Sequence, residues 1–280
     1  MKILITGRDG QVARCLEHVN TRHELIFLAR PRIDLRRPET LHAPVLQARP
    51  DVILSCAALT SVDACEADPA AAFAINAEAP GVLAAAAAEL DVPIVHLSTD
   101  YVFGGRQDVP YREQDRPDPI NVYGRSKVAG EQAVAMARRH AIVRTTWVYS
   151  PFGGFVKAAL AQAAEKGAAR VVSDQIACPT SGLDLARGLL AMAGRMVSDV
   201  QAPHGLFHGA GATLARRSEV IHAALPGARI IEVASADFFN GASGGAPRPL
   251  YSALDNSKLE EVFGIRLRGW PDALSEALQL

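Results

Sequence analysis

Short apolar runs rich in β-branched residues alternate along the first half of the chain with Ala-, Leu-, Glu- and Arg-rich segments whose apolar positions recur at helical spacing. The runs lie at residues 2–6, 24–28, 52–56, 94–98 and 141–145. Within them polar residues do not alternate with apolar ones, so these strands read as covered on both faces. Strands alternating with helices predict an α/β fold built on a doubly wound parallel sheet, Rossmann-like in plan. After Trp147 the pattern loosens, with Gly and Pro punctuation at residues 151–154 and 241–249. A smaller C-terminal substrate-binding region is expected there, interleaved with the last strands of the sheet.

Composition changes this picture little. A chain of 280 residues, 49% of them apolar, can bury a large core. The formal net charge of -1 and the scattered arginines argue against nucleic acid as a partner. The bland run at residues 82–88 is far short of the ~20 apolar residues a membrane span needs. Met1-Lys2 leads straight into Ile3-Leu4-Ile5, with no cleavable signal pattern. Cys15, Cys56, Cys65 and Cys178 show neither CxxC pairing nor histidines at ligand spacing. They read as reduced thiols of a cytoplasmic protein, and no metal site is expected.

The first strand runs directly into Thr6-Gly7-Arg8-Asp9-Gly10-Gln11-Val12-Ala13 and then into helix-forming residues. Glycines such as Gly7 and Gly10 at a strand-to-helix turn let the backbone approach a pyrophosphate, which the helix N-terminus then faces with unpaired N–H groups. The Gly-x-x-Gly-x-x-Ala spacing departs from the usual dinucleotide fingerprint, so the strand-turn-helix context carries the assignment. Where the second strand ends, an NAD site usually places a carboxylate; here stand Ala29, Arg30 and Arg32. A guanidinium suits a 2′-phosphate, which favours NADPH over NADH. Asp34-Leu35 are placed to pass the adenine, and Ala57-Ala58 are small enough for a cofactor to lie against the backbone. Residues 1–150 are accordingly expected to form the dinucleotide-binding domain, with later strands returning from about 170–210, and residues 151–280 to form mainly the substrate region.

The most specific feature is Tyr123-Gly124-Arg125-Ser126-Lys127, continuing into Gly130-Glu131, with Ser98-Thr99-Asp100-Tyr101-Val102-Phe103 upstream. On a helix, Tyr123 and Lys127 share one face. A phenol has a reference pKa of ~10, and a nearby ammonium is expected to bring it down toward working pH. Thr99 closes the fourth strand, and ligands of such sheets bind at the carboxyl ends of strands.

These segments, with Arg144 to Tyr149, Asp174-Gln175 and Pro179-Thr180, closely resemble the dTDP-4-dehydrorhamnose reductase family of the extended short-chain dehydrogenase/reductase class. Gly10-Gln11, Ala57 to Asp63, Asn76, Arg248-Pro249 and Asp255 to Lys258 extend the likeness over nearly the whole chain. The resemblance implies hydride transfer from a nicotinamide to the 4-keto group of a nucleotide-linked deoxysugar, dTDP-4-dehydro-L-rhamnose. It implies that Tyr123 protonates the developing alkoxide, that Thr99 hydrogen-bonds the carbonyl oxygen, and that Lys127 holds the nicotinamide ribose and tunes Tyr123. It places cofactor contacts on Gly10, Gln11, Val12, Asp34, Leu35, Ala58, Leu59, Thr60, Tyr123 and Lys127, to which the first turn and second strand add Gly7 and Arg30. Substrate contacts fall on Thr99, Asp100 and Trp147, with Tyr101 and Arg248 taken beside them.

The sequence departs from the family at Ala29, Leu59, residues 176–178 and Tyr251, none of which touches Thr99, Tyr123 or Lys127. Tyr101 follows Asp100 where sugar 4,6-dehydratases carry a second carboxylate, so the elimination machinery is missing. Nucleotide-sugar epimerases share the Thr/Tyr/Lys set and stay open as an alternative. So does a non-catalytic subunit like the regulatory subunit of methionine adenosyltransferase, and so does a homodimeric assembly. His96 reads as a satisfied core histidine, His204 and His208 lack partners at metal spacing, and Trp270 reads as packing. Trp147 reads equally as core or as a surface for the sugar.

Overall fold

The computed structural model describes residues 1–239 and 245–279; residues 241–244 of the second Gly/Pro stretch lie outside the described residues. Six parallel strands form the central sheet: β1 (Lys2–Thr6), β2 (Glu24–Leu28), β3 (Val52–Ser55), β4 (Ile94–Thr99), β5 (His140–Thr145) and the late β6 (Gly205–His208). Their order is β6-β5-β4-β3-β1-β2. The chain leaves β1 on one side for β2 and crosses back to β3 on the other, so a crevice opens beyond the carboxyl ends of β1 and β3.

Successive residues of each strand serve opposite cores, which is why the strands are apolar throughout. Ile3, Ile5, Leu54, Val95, Leu97 and Val143 pack with Leu16 of helix α1 (Gln11–Val19) and with Leu183 and Leu189 of a late helix (Gly182–Ser198). Leu4, Ile53, Ile94 and Ile142 pack on the other face with Leu83 and Ala87 of α2 (Ala79–Glu89) and Val134 of α3 (Val122–Val134). Each such Leu or Ile contributes roughly 1.5–3 kcal/mol on burial. The strand ends that carry the site are therefore fixed to a rigid body.

Two features add detail that the sequence did not carry. Among the described residues, the only strand that returns to the main sheet from the 170–210 stretch is β6; Ala169–Val172 pairs instead with Ile230–Val233. Together with helices Phe155–Lys166, Arg217–Ala224 and Trp270–Leu278, that pair encloses a separate small core of Tyr149, Val156, Val171, Val220 and Leu274. Helical structure also runs unbroken over Pro69–Glu89, long and apolar enough to cross a membrane by length and composition, unlike the shorter run seen in the sequence. More than half of its most apolar window, 56%, is buried inside the fold. The stretch packs as a core helix against β3, β4 and α3.

Candidate active site

A cleft of about 630 Å³ lies along the carboxyl ends of β1, β3 and β4. It is lined by Gly7, Gly10, Gln11, Val12, Arg30, Asp34, Leu35, Ala58, Leu59 and Thr60 at one end and by Thr99, Asp100, Tyr101, Tyr123, Lys127 and Trp147 at the other. Residues far apart in the sequence thus share one wall. Arg248 and Arg32 are not among the lining residues. Arg248 instead pairs with Asp63 at 2.7 Å and stacks on Phe239, its charge centre 3.8 Å from the ring centroid. That guanidinium holds the Asp63 carboxyl below its ordinary range.

The first turn fits a dinucleotide. Gly7 sits at φ +79°, a conformation that side chains rarely adopt, and a Cβ there would meet Ala57 at 3.1 Å. Gly10 is the N-cap of α1; no side chain caps the helix, no acid stands in its first turn, and open space lies where a Cβ of Gly10 would project. The first-turn N–H groups are free for an anion. At the end of β2, Arg30 lines the cleft and no carboxylate takes the position of Ala29. The Gln11 side chain is tied to Val148 O at 3.3 Å and to Ser150 Oγ at 3.1 Å, which joins the first helix to the segment after β5. Asn76, fully buried, clamps Leu59 through both its N–H and C=O, at 2.8 and 3.0 Å, and donates to Ser126 Oγ of α3 at 2.9 Å. One amide thereby couples the floor of the cleft to the helix that carries Tyr123.

At the other end β4 stops at Thr99. Its hydroxyl donates to Asp100 Oδ1 at 3.0 Å and accepts from the Tyr101 backbone N–H at 3.2 Å. The other carboxylate oxygen of Asp100 accepts from Thr146 at 2.7 Å and from Ser252 at 2.5 Å. Burial pushes the Asp100 carboxyl up, and the hydroxyls of Ser252, Thr146 and Thr99 oppose it. Asp100 is thus held by three hydroxyls, two of which, Thr146 and Ser252, were not singled out from the sequence. Spacing gives no clue to them, because Ser252 arrives from the far end of the chain.

The α3 helix starts at an N-cap, Asn121, whose side chain accepts from Gly124 N at 2.8 Å. The two glycines of its motif permit close approach: a Cβ on Gly124 would lie 2.1 Å from Tyr101 O, and one on Gly130 2.1 Å from Asn76 O. With the helix this close, Tyr123 and Lys127 face the cleft together. The Tyr123 ring meets Tyr101 edge-on, centroids 5.6 Å apart. Lys127, 1% exposed, donates to Leu97 O at 2.7 Å and contacts His96 Nε2 at 3.1 Å. Burial lowers the ammonium to about 8, against the opposing influence of Glu131 and Cys56. The expected downward pull on Tyr123 is overturned: burial dominates and drives the phenol upward. The side chain that results is a neutral phenol.

Trp147 has φ +40°, left-handed and strained for a large residue. Its ring is held by the Arg217 guanidinium at 4.3 Å and by Phe155, edge-on at 5.9 Å. Arg217 also lacked a sequence signal, since nothing along the chain marks it as a neighbour of Trp147. His96 sits in the interior as expected, and Trp270 packs partly buried against the small core, its indole nitrogen without a partner among the described residues. Among the described residues, no cluster of His, Cys, Asp or Glu is disposed to hold a metal ion.

A doubly wound sheet, a glycine turn facing an uncapped helix and a Thr/Tyr/Lys wall define an extended short-chain dehydrogenase/reductase. The family described as "RmlD substrate binding domain" matches residues 1–280. The dTDP-4-dehydrorhamnose reductase of Sinorhizobium fredii (strain NBRC 101917 / NGR234) is 41% identical over 285 residues, 98% of this chain and 95% of that protein. The solved dTDP-4-dehydrorhamnose reductase of Clostridium acetobutylicum superposes with TM-score 0.88 at 32% identity, covering 100% of this chain and 99% of that one. That of Bacillus anthracis, solved in complex with NADP, gives TM-score 0.88 at 28% identity over 99% and 98%. The chain belongs to the dTDP-4-dehydrorhamnose reductase family.

Proposed function

We propose that this protein reduces the 4-keto group of a nucleotide-linked deoxysugar, dTDP-4-dehydro-L-rhamnose, to the alcohol of dTDP-L-rhamnose with NADPH. The observation that carries the proposal is the meeting of Thr99, Tyr123 and Lys127 in the cleft that the first glycine turn opens. The nicotinamide, when bound, supplies the hydride. Gly7, Gly10, the Gln11 and Val12 backbone, Arg30, Asp34, Leu35, Ala58, Leu59 and Thr60 hold the dinucleotide. The free N–H groups of α1 face its diphosphate, and Arg30, with no carboxylate at Ala29, takes a 2′-phosphate.

At the reacting end the chain needs a donor for the oxygen that gains negative charge. Tyr123 is kept protonated by its burial and hands its hydroxyl proton to that oxygen. The Thr99 hydroxyl hydrogen rotates from Asp100 to the same oxygen, while the Tyr101 backbone N–H, which donates to the Thr99 oxygen, keeps the side chain in place. Lys127 meets the nicotinamide ribose with its remaining N–H. Trp147 and Tyr101 form the wall against which the sugar lies. Arg248, tied to Asp63 and Phe239, serves the substrate side from outside the cleft. Residues 1–150 with the returning β6 form the cofactor half and most of 151–280 the substrate half. In this reading the protein works in the cytoplasm on a nucleotide sugar, with neither nucleic acid nor membrane as a partner, and a homodimer is the assembly to seek by sedimentation.

The test is an assay of NADPH loss and sugar product together, using 4-deuterated NADPH and dTDP-4-dehydro-L-rhamnose. One NADPH consumed per dTDP-L-rhamnose formed, with deuterium at sugar C4, is expected. A sugar converted without net NADPH consumption would identify an epimerase, and no conversion at all would leave the non-catalytic subunit.

A further inference from the structure

Beneath the cleft floor, a line of three polar side chains crosses from β3 through β4 to α3. Ser55 and His96 are paired across adjacent strands, and both side chains lie on the α3 side of the sheet. Ser55 Oγ is 3.0 Å from His96 Nδ1, and His96 Nε2 is 3.1 Å from Lys127 Nζ. His96 is 0% exposed and Ser55 2%. A histidine that merely filled space here would be matched by an apolar residue without the cost of burying two ring nitrogens. Each nitrogen instead has one partner, and one of those partners is a buried cation.

The donor inventory settles the arrangement. An ammonium has three donors and no acceptor, so the ring nitrogen facing it must accept. The ring is neutral, because burial and the adjacent Lys127 both hold His96 far below its ordinary value. Its single proton then sits on Nδ1 and is donated to Ser55. Two of the three N–H groups of Lys127 are taken up, one by Leu97 O and one by His96 Nε2. The third is left on the side where Lys127 lines the cleft.

We propose that His96 is a positioning residue for Lys127: locked as the Nδ1–H tautomer by Ser55, it fixes the ammonium by its Nε2 lone pair and so aims the remaining N–H into the cleft beside Tyr123. This rests on the role given to Lys127 above. The titratable groups that act on the Lys127 ammonium are His96 of β4, Cys56 just after β3, and Glu131 of α3 itself. Cys56 is driven by burial to its neutral form, up to about 12, and Glu131 is engaged by Arg144 and Ser98, so His96 is the side chain that accepts from the ammonium, beside the Leu97 carbonyl. Without that lone pair the charged form loses an acceptor, and the ammonium titrates at lower pH.

The experiment compares wild type with His96→Phe, His96→Gln and Ser55→Ala. It measures kcat, KM for NADPH and the pH profile of kcat/KM, with NADPH binding by fluorescence and thermal melting as checks on folding. His96→Phe is expected to lose about tenfold to a hundredfold in kcat/KM, the range for a misplaced catalytic group, and to move the alkaline limb to lower pH. His96→Gln, whose amide oxygen can accept from Lys127, is expected to recover most of both. Ser55→Ala is expected to shift the limb the same way by less. Histidine-selective ¹⁵N NMR of the cofactor-free protein should show His96 as the neutral Nδ1–H tautomer. A His96→Phe enzyme with wild-type rate and alkaline limb would overturn the proposal, as would a folded His96→Gln that recovers neither or an Nε2–H tautomer. Should His96→Phe not fold, the tautomer, the glutamine variant and the Ser55→Ala limb decide. Failure of the reductase mechanism itself reads out separately, as a Tyr123→Phe enzyme that keeps its turnover.

Discussion

Burial drives Tyr123 and Lys127 each toward the neutral form, the phenol upward and the ammonium down to about 8. For a reduction this is useful in one case and demanding in the other, since the phenol must begin with its proton while the ammonium must keep its charge. The folded-state value of Lys127, about 8, lies below its ordinary 10.5. Between those two values the unfolded chain binds more protons than the folded one, so this residue makes stability rise with pH across that window. Urea midpoints of wild type and Lys127→Met, compared from pH 8 to 10, should show the wild type gaining on the variant. A constant difference would mean that the ammonium is not desolvated. The sequence made these residues legible through the Tyr-x-x-x-Lys spacing and the Thr99 strand end. It did not reveal the direction at Tyr123, which depends on how completely the surrounding chain covers the ring. Arg248 illustrates the same limit, because its pairing with Asp63 joins residues remote in sequence.

At the scale of elements, α3 is the piece on which geometry depends. Its motif glycines place it against Tyr101 O and Asn76 O, and its Glu131 forms a buried two-pronged pair with Arg144 of β5, at 2.8 and 2.7 Å. Glu131 also accepts from Ser98 Oγ at 2.5 Å, so helix and two strands are cross-linked. Gly130→Ala forces the helix off Asn76 and is expected to cost about 1–3 kcal/mol, as overpacking does. NADPH affinity should fall with it, because Asn76 also holds Leu59. Urea denaturation and NADPH titration check the two effects; a variant as stable and as tight-binding as wild type would refute the close approach. The strands were legible because doubly covered strands are apolar throughout, and the observed β1 to β5 lie within one residue of the expected ends. The Ala169–Val172 strand was not, since a short apolar run does not say which sheet it joins. The continuous Pro69–Glu89 helix also hid in the sequence, because Asn76 and Glu78 interrupt its apolar run, the first buried by its hydrogen bonds to Leu59 and Ser126 and the second left exposed.

For the whole molecule, the cleft runs from the first glycine turn to Trp147 and joins a site for a dinucleotide to a site for a sugar. A ligand that binds the native state alone raises stability by about 2.7 kcal/mol at a hundredfold excess over its dissociation constant. NADPH should therefore raise the melting temperature more than NADH at equal concentration, and Arg30→Ala should remove most of the difference. Equal protection by both cofactors in the wild type would put the 2′-phosphate elsewhere. The central claim is that Tyr123, neutral and buried at the sugar end of this cleft, gives up the proton that completes the reduction. Its most direct test is turnover of Tyr123→Phe with dTDP-4-dehydro-L-rhamnose and NADPH, alongside NADPH binding and melting of the same variant. Binding and melting near wild type with turnover reduced by about 10²–10⁴-fold, the range for removing a general acid, is the predicted result. Turnover within a few-fold of wild type would contradict it.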